Sequence, residues 1–193
     1  MSWGWAKSGE PTVRPVGQIK SKRPLSVQHG KQKGALLVTN SVPRFSSLLR
    51  SMCVSRQYLD YLDDQHAFVS ALPQTIRQNL TVRLYPHDYG WDQHSRWGDH
   101  FPDLALDDGH SRLNDLIRQS RVYIATYNAT TFLESFTMDV PTVIFWNSNH
   151  WELRESALPY FEDLKRVGIF HETPESAARQ VAALTADLPK SNA

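Results

Sequence analysis

The pattern of hydrophobic and polar positions changes at residue 34. Upstream of it, prolines and glycines recur without any period, which is typical of a linker or arm. Downstream, short apolar runs alternate with segments whose apolar residues recur at helical spacing. The predicted strands are 35–38, 81–85, 121–126, 142–146 and 168–170. The predicted helices are 56–72, 112–120, 129–138, 151–157, 159–167 and 174–188.

Strands that alternate with helices predict an α/β fold, with a parallel sheet covered by helices on both faces. We expect three parts: a basic linker or arm at 1–33, one α/β domain at 34–187 and a tail at 188–193. Ser55 and Ser111 are predicted to cap the helices that follow them. The polar and aromatic stretch from 86 to 102 is predicted to be a loop.

The charge of the chain is unevenly placed. Residues 1–33 hold seven basic residues and one acidic residue, a formal charge of +6, so the rest carries −5 of the total of +1. Dispersed basic residues favour a solvated linker over a segment that binds nucleic acid or anionic lipid. We therefore expect no nucleic-acid partner and at most peripheral membrane contact. Trp3 and Trp5 suggest that this arm packs against something.

Cysteine usage and hydropathy point to one compartment. Cys53 is the only cysteine, so an intrachain disulfide is excluded. The first residues lack the apolar core of a signal peptide, and no run approaches the roughly 20 apolar residues of a membrane span. The sequence predicts a soluble cytoplasmic protein.

Polar loops follow three of the predicted strands. They comprise residues 86–88, 127–131 and 147–154. In a parallel α/β sheet, ligands bind beyond the carboxyl ends of the strands, so we expect these loops to border one cleft. Two of them include His87 and Asn128 as candidate ligand contacts.

The loop at 127–131 stands where a strand passes into a helix. A helix N-terminus offers unpaired N–H groups to a phosphate, and Thr130 and Thr131 would add hydroxyl donors. Glu134 lies on the same helical face as Thr130 and could accept from a ribose or sugar hydroxyl. The alternative is that Asn128 merely caps the helix while the threonines fill its first turn. No dinucleotide or P-loop glycine motif is present.

His150 and Arg154 are four residues apart. On a helix they would share one face, and the Arg154 guanidinium could hold a phosphate with two hydrogen bonds. The alternative is an ordinary helix start in which Glu152 and Glu155 pair with Arg154.

Ten histidines and aspartates lie between residues 87 and 110. A metal site needs ligands that converge, and no metalloprotease-like spacing appears. We therefore predict no metal and no cofactor, and a solvated loop from which His87 alone faces the cleft. A metal-dependent hydrolase remains the weaker alternative.

Four stretches carry a family resemblance: RLYPHDYGW at 83–91, and the segments 106–135, 140–164 and 167–178. Together they resemble the C-terminal half of bacterial surface-polysaccharide transferases of the GT-B type, and are similar to CDP-glycerol glycerophosphotransferases. The resemblance implies a domain that binds a nucleotide-activated sugar or polyol phosphate. It implies that the threonine pair and Glu134 hold donor phosphates and ribose, and that His87 approaches the phosphates.

GT-B enzymes have two Rossmann-like domains, and the resemblance covers only the donor-binding one. It therefore implies a chain that is incomplete on its own, with its catalytic residues unidentified. An acceptor-domain subunit or a second copy is the expected partner, at an apolar face that includes Trp91 and Trp97. The alternative is a non-catalytic nucleotide-binding or interaction protein.

Overall fold

The fold is seen in a computed structural model that describes residues 32–45 and 52–187. Most of the predicted arm, with Trp3 and Trp5, and the predicted tail lie outside the described residues. Gln32 is buried, and the Lys33 N–H donates to the Gln119 carbonyl at 2.8 Å.

A parallel sheet of six strands organises the described residues, in the order β3-β2-β1-β4-β5-β6. The strands are β1 Ala35–Val38, β2 Leu80–Arg83, β3 Ala105–Asp107, β4 Val122–Ala125, β5 Thr142–Phe145 and β6 Phe170–His171. This is the strand order of Rossmann folds. The predicted α/β fold class is confirmed.

Seven α-helices cover the two faces of the sheet in the described part of the chain. They are α1 Gln57–Ala71, α2 Gln74–Arg77, α3 Gln93–His100, α4 Leu113–Gln119, α5 Thr131–Thr137, α6 Leu158–Arg166 and α7 Pro174–Asp187. Helices α1, α2, α3 and α7 contribute to the core on one face. Helices α4, α5 and α6 contribute to the core on the other.

Strands β1, β4 and β5 are buried at every position. Successive side chains point to opposite faces, so Leu37 and Ile124 belong to one core while Leu36 and Tyr123 belong to the other. Fully burying one such side chain stabilises the fold by about 1.5–3 kcal/mol. Continuous apolar runs are what a sheet covered on both faces requires.

The stretch from 86 to 102 is not a loop throughout, contrary to the prediction. It contains α3, and β3 follows it, a strand that the sequence pattern did not predict. The expectation that Trp91 and Trp97 lie outside the core is also wrong, because they are 5% and 1% exposed. Trp91 stacks on Tyr58 at 4.5 Å and donates from Nε1 to the Val42 carbonyl at 2.7 Å.

The predicted N-caps differ from the observed ones. Arg56 and Arg112 occupy the N-cap positions of α1 and α4, and neither forms a side-chain cap hydrogen bond within the described residues. Ser55 instead has a left-handed backbone, with φ 49°. In the region described, every helix is too short or too polar to cross a membrane.

Candidate functional site

The chain leaves β1 and β4, two neighbouring strands, toward opposite faces of the sheet. The segment after β1 leads to α1, and the segment after β4 leads to α5, which packs on the other face. The two departing segments therefore separate beyond the carboxyl ends of the strands. Ligands of open α/β sheets bind at such a switch point.

Hydrogen bonds join the two segments at this switch point. The Asn40 N–H donates to the Tyr61 hydroxyl at 2.8 Å, which lies 2.6 Å from the Thr126 hydroxyl. Thr126 donates in turn to the Val38 carbonyl at 2.8 Å. Burial raises the pKa of Tyr61, so its hydroxyl stays neutral. These residues were not among the predicted site residues, although short polar residues directly after a buried strand were a signal.

The loop after β4 exposes Asn128 and leads into α5. Thr130, and not Asn128, occupies the N-cap position, so the alternative in which Asn128 caps this helix is wrong. Thr130 forms no side-chain cap bond to any described residue. In the part of the chain that the structure describes, no side chain accepts a hydrogen bond from the first N–H groups of α5, and the Leu133 N–H donates to the Thr130 carbonyl at 3.1 Å. A helix of seven residues has only a small dipole.

Thr131 faces inward. Its Oγ1 is buried and, within the described residues, completes no hydrogen bond of standard geometry; the same holds for the Tyr123 hydroxyl. Burial raises the pKa of Tyr123 and of Tyr127, and the neighbouring Thr131 hydroxyl opposes both increases. Glu134, half-buried, lies near both tyrosines and also raises their pKa values.

The loop after β2 is organised by the Asp88 carboxylate. Oδ2 accepts N–H groups from Gly90 at 3.0 Å and Asp92 at 2.8 Å, and Oδ1 accepts the Gln93 N–H at 2.7 Å. Burial acts to raise the pKa of Asp88, but these hydrogen bonds hold it below its ordinary value. Asp88 is therefore occupied by its own loop, while His87 beside it is exposed.

The loop after β5 does not form a helix, so the predicted helix at 151–157 and the shared helical face of His150 and Arg154 are wrong. The Asn147 side chain accepts the Asn149 N–H at 3.0 Å, and its carbonyl accepts the His150 N–H at 2.9 Å. This turn competes with a helix start. His150 is buried, Arg154 is extended and exposed, and only Glu155–Ala157 form a 3-10 turn.

A family model described as LIC12162 family transferase matches residues 1–190. The chain belongs to this family. None of the curated proteins compared with it gave a significant match.

The loop after β4 lies near the end of β2 in this LIC12162 family member. Tyr127, after β4, lies near Tyr85 and Arg83 at the end of β2 and near Glu134 in α5. His150 lies farther along the edge, where Trp151 contacts Tyr61 with ring centroids 5.0 Å apart. His150 also acts on the pKa of Asp64, which burial raises and His150 lowers.

The His/Asp-rich segment does not converge. Among residues 32–45 and 52–187, no group of three or more His, Cys, Asp or Glu side chains could hold a metal ion. Asp107 instead lies 3.8 Å from Arg83, which donates to the Gly109 and Ser111 carbonyls at 2.8 Å each. These contacts fix the loop after β3.

Two concavities open at the opposite, amino-terminal edge of the sheet in this transferase family member. They measure about 270 and 630 Å³. The larger is bounded by residues from 32–35, 73–79 and 182–186 and by Arg121. The hydrogen-bonding groups described above all lie at the carboxyl edge.

Proposed function

We propose that this chain binds the nucleotide-activated donor of a transferase that moves a sugar or polyol phosphate to a surface polysaccharide. Membership of a transferase family supports the reaction class. One observation carries the proposal: at the switch point, α5 begins without a side-chain cap from the described residues, beside exposed Asn128 and half-buried Thr130 and Glu134.

These groups suit a diphosphate followed by a ribose. The N–H groups at the start of α5, the Thr130 hydroxyl and the Asn128 amide donate hydrogen bonds, as phosphate oxygens require. Glu134 accepts hydrogen bonds, as ribose hydroxyls require. Thr131 supports this loop from below, because its hydroxyl is turned toward Tyr123 and Tyr127.

Positive charge comes from a neighbouring loop. Arg154 is exposed after β5. In the proposed reaction its guanidinium and the α5 N–H groups stabilise the negative charge that develops on the leaving diphosphate. Buried His150 positions the β5 loop by its contact with Trp151, at 6.2 Å between ring centroids.

The donor class follows the resemblance to CDP-glycerol glycerophosphotransferases and GT-B enzymes. We extend the proposal to a pyrimidine nucleoside diphosphate carrier, with an acceptor domain or a second copy completing the active site. Exposed Leu158 and Val167, at the start of α6 and just after its end, are candidate contacts for that partner.

The test is calorimetric titration of the 193-residue chain with CDP, UDP, GDP and ADP. The Asn128→Ala/Thr130→Ala double variant should bind the preferred nucleotide about 1–3 kcal/mol more weakly, because it loses hydrogen bonds to a charged group. Thr75→Ala, which alters an exposed threonine in the first turn of α2 at the opposite edge, is the matched control.

Two results would contradict the proposal. One is that no nucleotide binds the wild-type chain. The other is that the double variant and Thr75→Ala bind as tightly as wild type, which would place the nucleotide elsewhere.

A further inference from the structure

Three aromatic rings contact one another after β2. Tyr85 and Tyr89 lie 6.0 Å apart between ring centroids, with planes 25° apart. His87 lies 6.2 Å from Tyr85 and 5.9 Å from Tyr89, with its plane at 64° and 65° to theirs. We call Tyr85, His87 and Tyr89 the aromatic shelf. It has two nearly parallel rings and a third ring that stands across them.

The shelf contains a residue, Tyr89, whose backbone conformation is energetically unfavourable. Tyr89 has φ 58°, in the left-handed region that residues with a Cβ rarely adopt. The Asp88 carboxylate fixes the next residues by accepting the N–H groups of Gly90, Asp92 and Gln93. The loop is thus built firmly around a conformation that glycine would adopt more easily.

The outer rings of the shelf contribute little to the core. His87 is exposed, and Tyr89 is 42% exposed. Leu84 and Trp97, which are 4% and 1% exposed, provide the core packing in this region. An aromatic ring held outward on a left-handed residue has no evident advantage for folding. Strain that the surrounding structure maintains is a reason to look for function.

The shelf adjoins the proposed donor site. Tyr85 lies near Tyr127, which in turn lies near Thr131 and Glu134. A ligand whose phosphates lie at the start of α5 can therefore place its other end on the shelf. In a nucleoside diphosphate, that other end is the base.

We propose that the aromatic shelf binds the nucleobase of the donor by stacking, an inference that rests on the proposed function. Every base has a flat π-face, and stacking on aromatic side chains is favourable and tolerant of base identity. A base lying on the tyrosine faces turns its edge toward His87. The imidazole nitrogens of His87 can then donate to or accept from the polar atoms of that edge.

The experiment measures nucleotide affinity in the full chain with Tyr89 changed. Tyr89→Ala should weaken binding of the preferred nucleoside diphosphate by roughly 5- to 150-fold, the loss expected for one stacked base. Tyr89→Phe keeps the ring and should bind within about twofold of wild type. Inorganic pyrophosphate, which has no base, should bind equally to all three proteins.

Tyr160→Ala is the matched control, because Tyr160 is 72% exposed on α6, away from the shelf. Circular dichroism establishes that each variant is folded. Saturation-transfer NMR identifies the stacked group, with the strongest transfer expected at the base protons.

The outcomes separate the two proposals. If wild type binds no nucleotide, the proposed function fails and the shelf proposal fails with it. If wild type binds nucleotide and Tyr89→Ala binds equally well, the shelf proposal alone is wrong. Strongest transfer to protons of the sugar or polyol, with the base protons unaffected, would also overturn it.

Discussion

Two loops of similar composition at the carboxyl edge of the sheet place their aromatic rings in opposite directions. The β2 loop, residues 86–90, leaves His87 and Tyr89 exposed, and buried Trp91 follows it. The β5 loop, residues 147–154, buries His150 and Trp151 and leaves Arg154 in solvent. Both follow buried strands and both are rich in polar groups. Composition at a strand end therefore indicates where a site lies, but not which side chains face the ligand.

The difference comes from the backbone turn in each loop. In the β2 loop, the Asp88 carboxylate gathers three N–H groups, and the turn points Tyr89 outward. In the β5 loop, Asn147 forms a tighter turn that directs Trp151 onto Tyr61. Burial of its aromatic rings stabilises the β5 loop, whereas the exposed rings of the β2 loop add little to stability.

The largest expected effect concerns the buried ring of the β5 loop. Trp151→Ala should lower the free energy of unfolding by about 3–5 kcal/mol, since Trp151 is 2% exposed and its removal leaves a cavity. Urea unfolding followed by circular dichroism measures it. Tyr89→Ala is the matched comparison and should change stability by about 0.5 kcal/mol or less. Equal losses of unfolding free energy in the two variants would contradict the claim that only the β5 loop buries its rings for stability.

A second effect concerns α3, which follows the β2 loop and packs on α1 through His66. Burial, and then His100 and Arg96, lower the pKa of His66 to about 4. The unfolded chain has a histidine pKa near 6.5, so it binds more protons than the folded chain between those values. Stability contributed by neutral His66 is present above about pH 6.5 and is lost as the pH falls toward 4. We expect a loss of about 1–2 kcal/mol after solvent screening.

The measurement is the free energy of unfolding of wild type and His66→Phe from pH 7.5 to 4. The difference between the two proteins should change in this interval, because only wild type carries the ionisable ring at this position. A constant difference would mean that His66 is not buried as a neutral ring against Trp97 and Phe101.

Third, Asp88→Ala should cost about 1 kcal/mol, the scale for losing a side chain that caps a helix start. The hydrogen-bonded carboxylate has a lowered pKa, so its contribution is present above about pH 4 and is lost as the pH falls through the folded value. Unfolding at pH 7 and at pH 2.5 measures this. Asp63→Ala, on the exposed face of α1, is the control and should cost less. Equal costs would contradict the assigned role of Asp88.

The smallest effect is the one most specific to the β2 loop. Tyr89→Gly should leave stability within about 0.5 kcal/mol of wild type, because glycine adopts φ 58° without strain. Tyr160→Gly, an exposed tyrosine within α6, should cost about 1 kcal/mol, as glycine does inside helices. Thermal unfolding of both variants checks the order. A larger loss for Tyr89→Gly would show that its ring stabilises the fold.

Much of the sheet could be predicted because its central strands are continuous apolar runs. Ala35–Val38 coincides with the predicted strand, and β4 and β5 lie within theirs. The short strand β3 could not be predicted, because Ala105–Asp107 is only three residues long and only partly buried. Helix α3 could not be predicted because Gln93–His100 is largely polar. The helix is held by buried Trp97 and by the Asp88 carboxylate, which accepts the Gln93 N–H from five residues upstream.

The candidate site was predicted in location more than in detail. The strand-end loops were identified because polar residues follow apolar runs, and Tyr127 in one of them lies near Arg83 and Tyr85 at the end of β2. Side-chain direction depends on turns that the spacing does not reveal. Thr131 faces inward, and His150 and Arg154 do not share a helical face. The Tyr61–Thr126 contact joins residues 65 positions apart, which no local pattern could indicate.

Hydrogen–deuterium exchange with and without CDP or UDP tests most directly the claim that the carboxyl edge holds the donor. The account predicts that saturating nucleotide slows exchange in peptides covering 85–92 and 126–134, with no change in 73–79 at the amino-terminal edge. Protection confined to 73–79 and 32–35, the walls of the larger concavity, would contradict it.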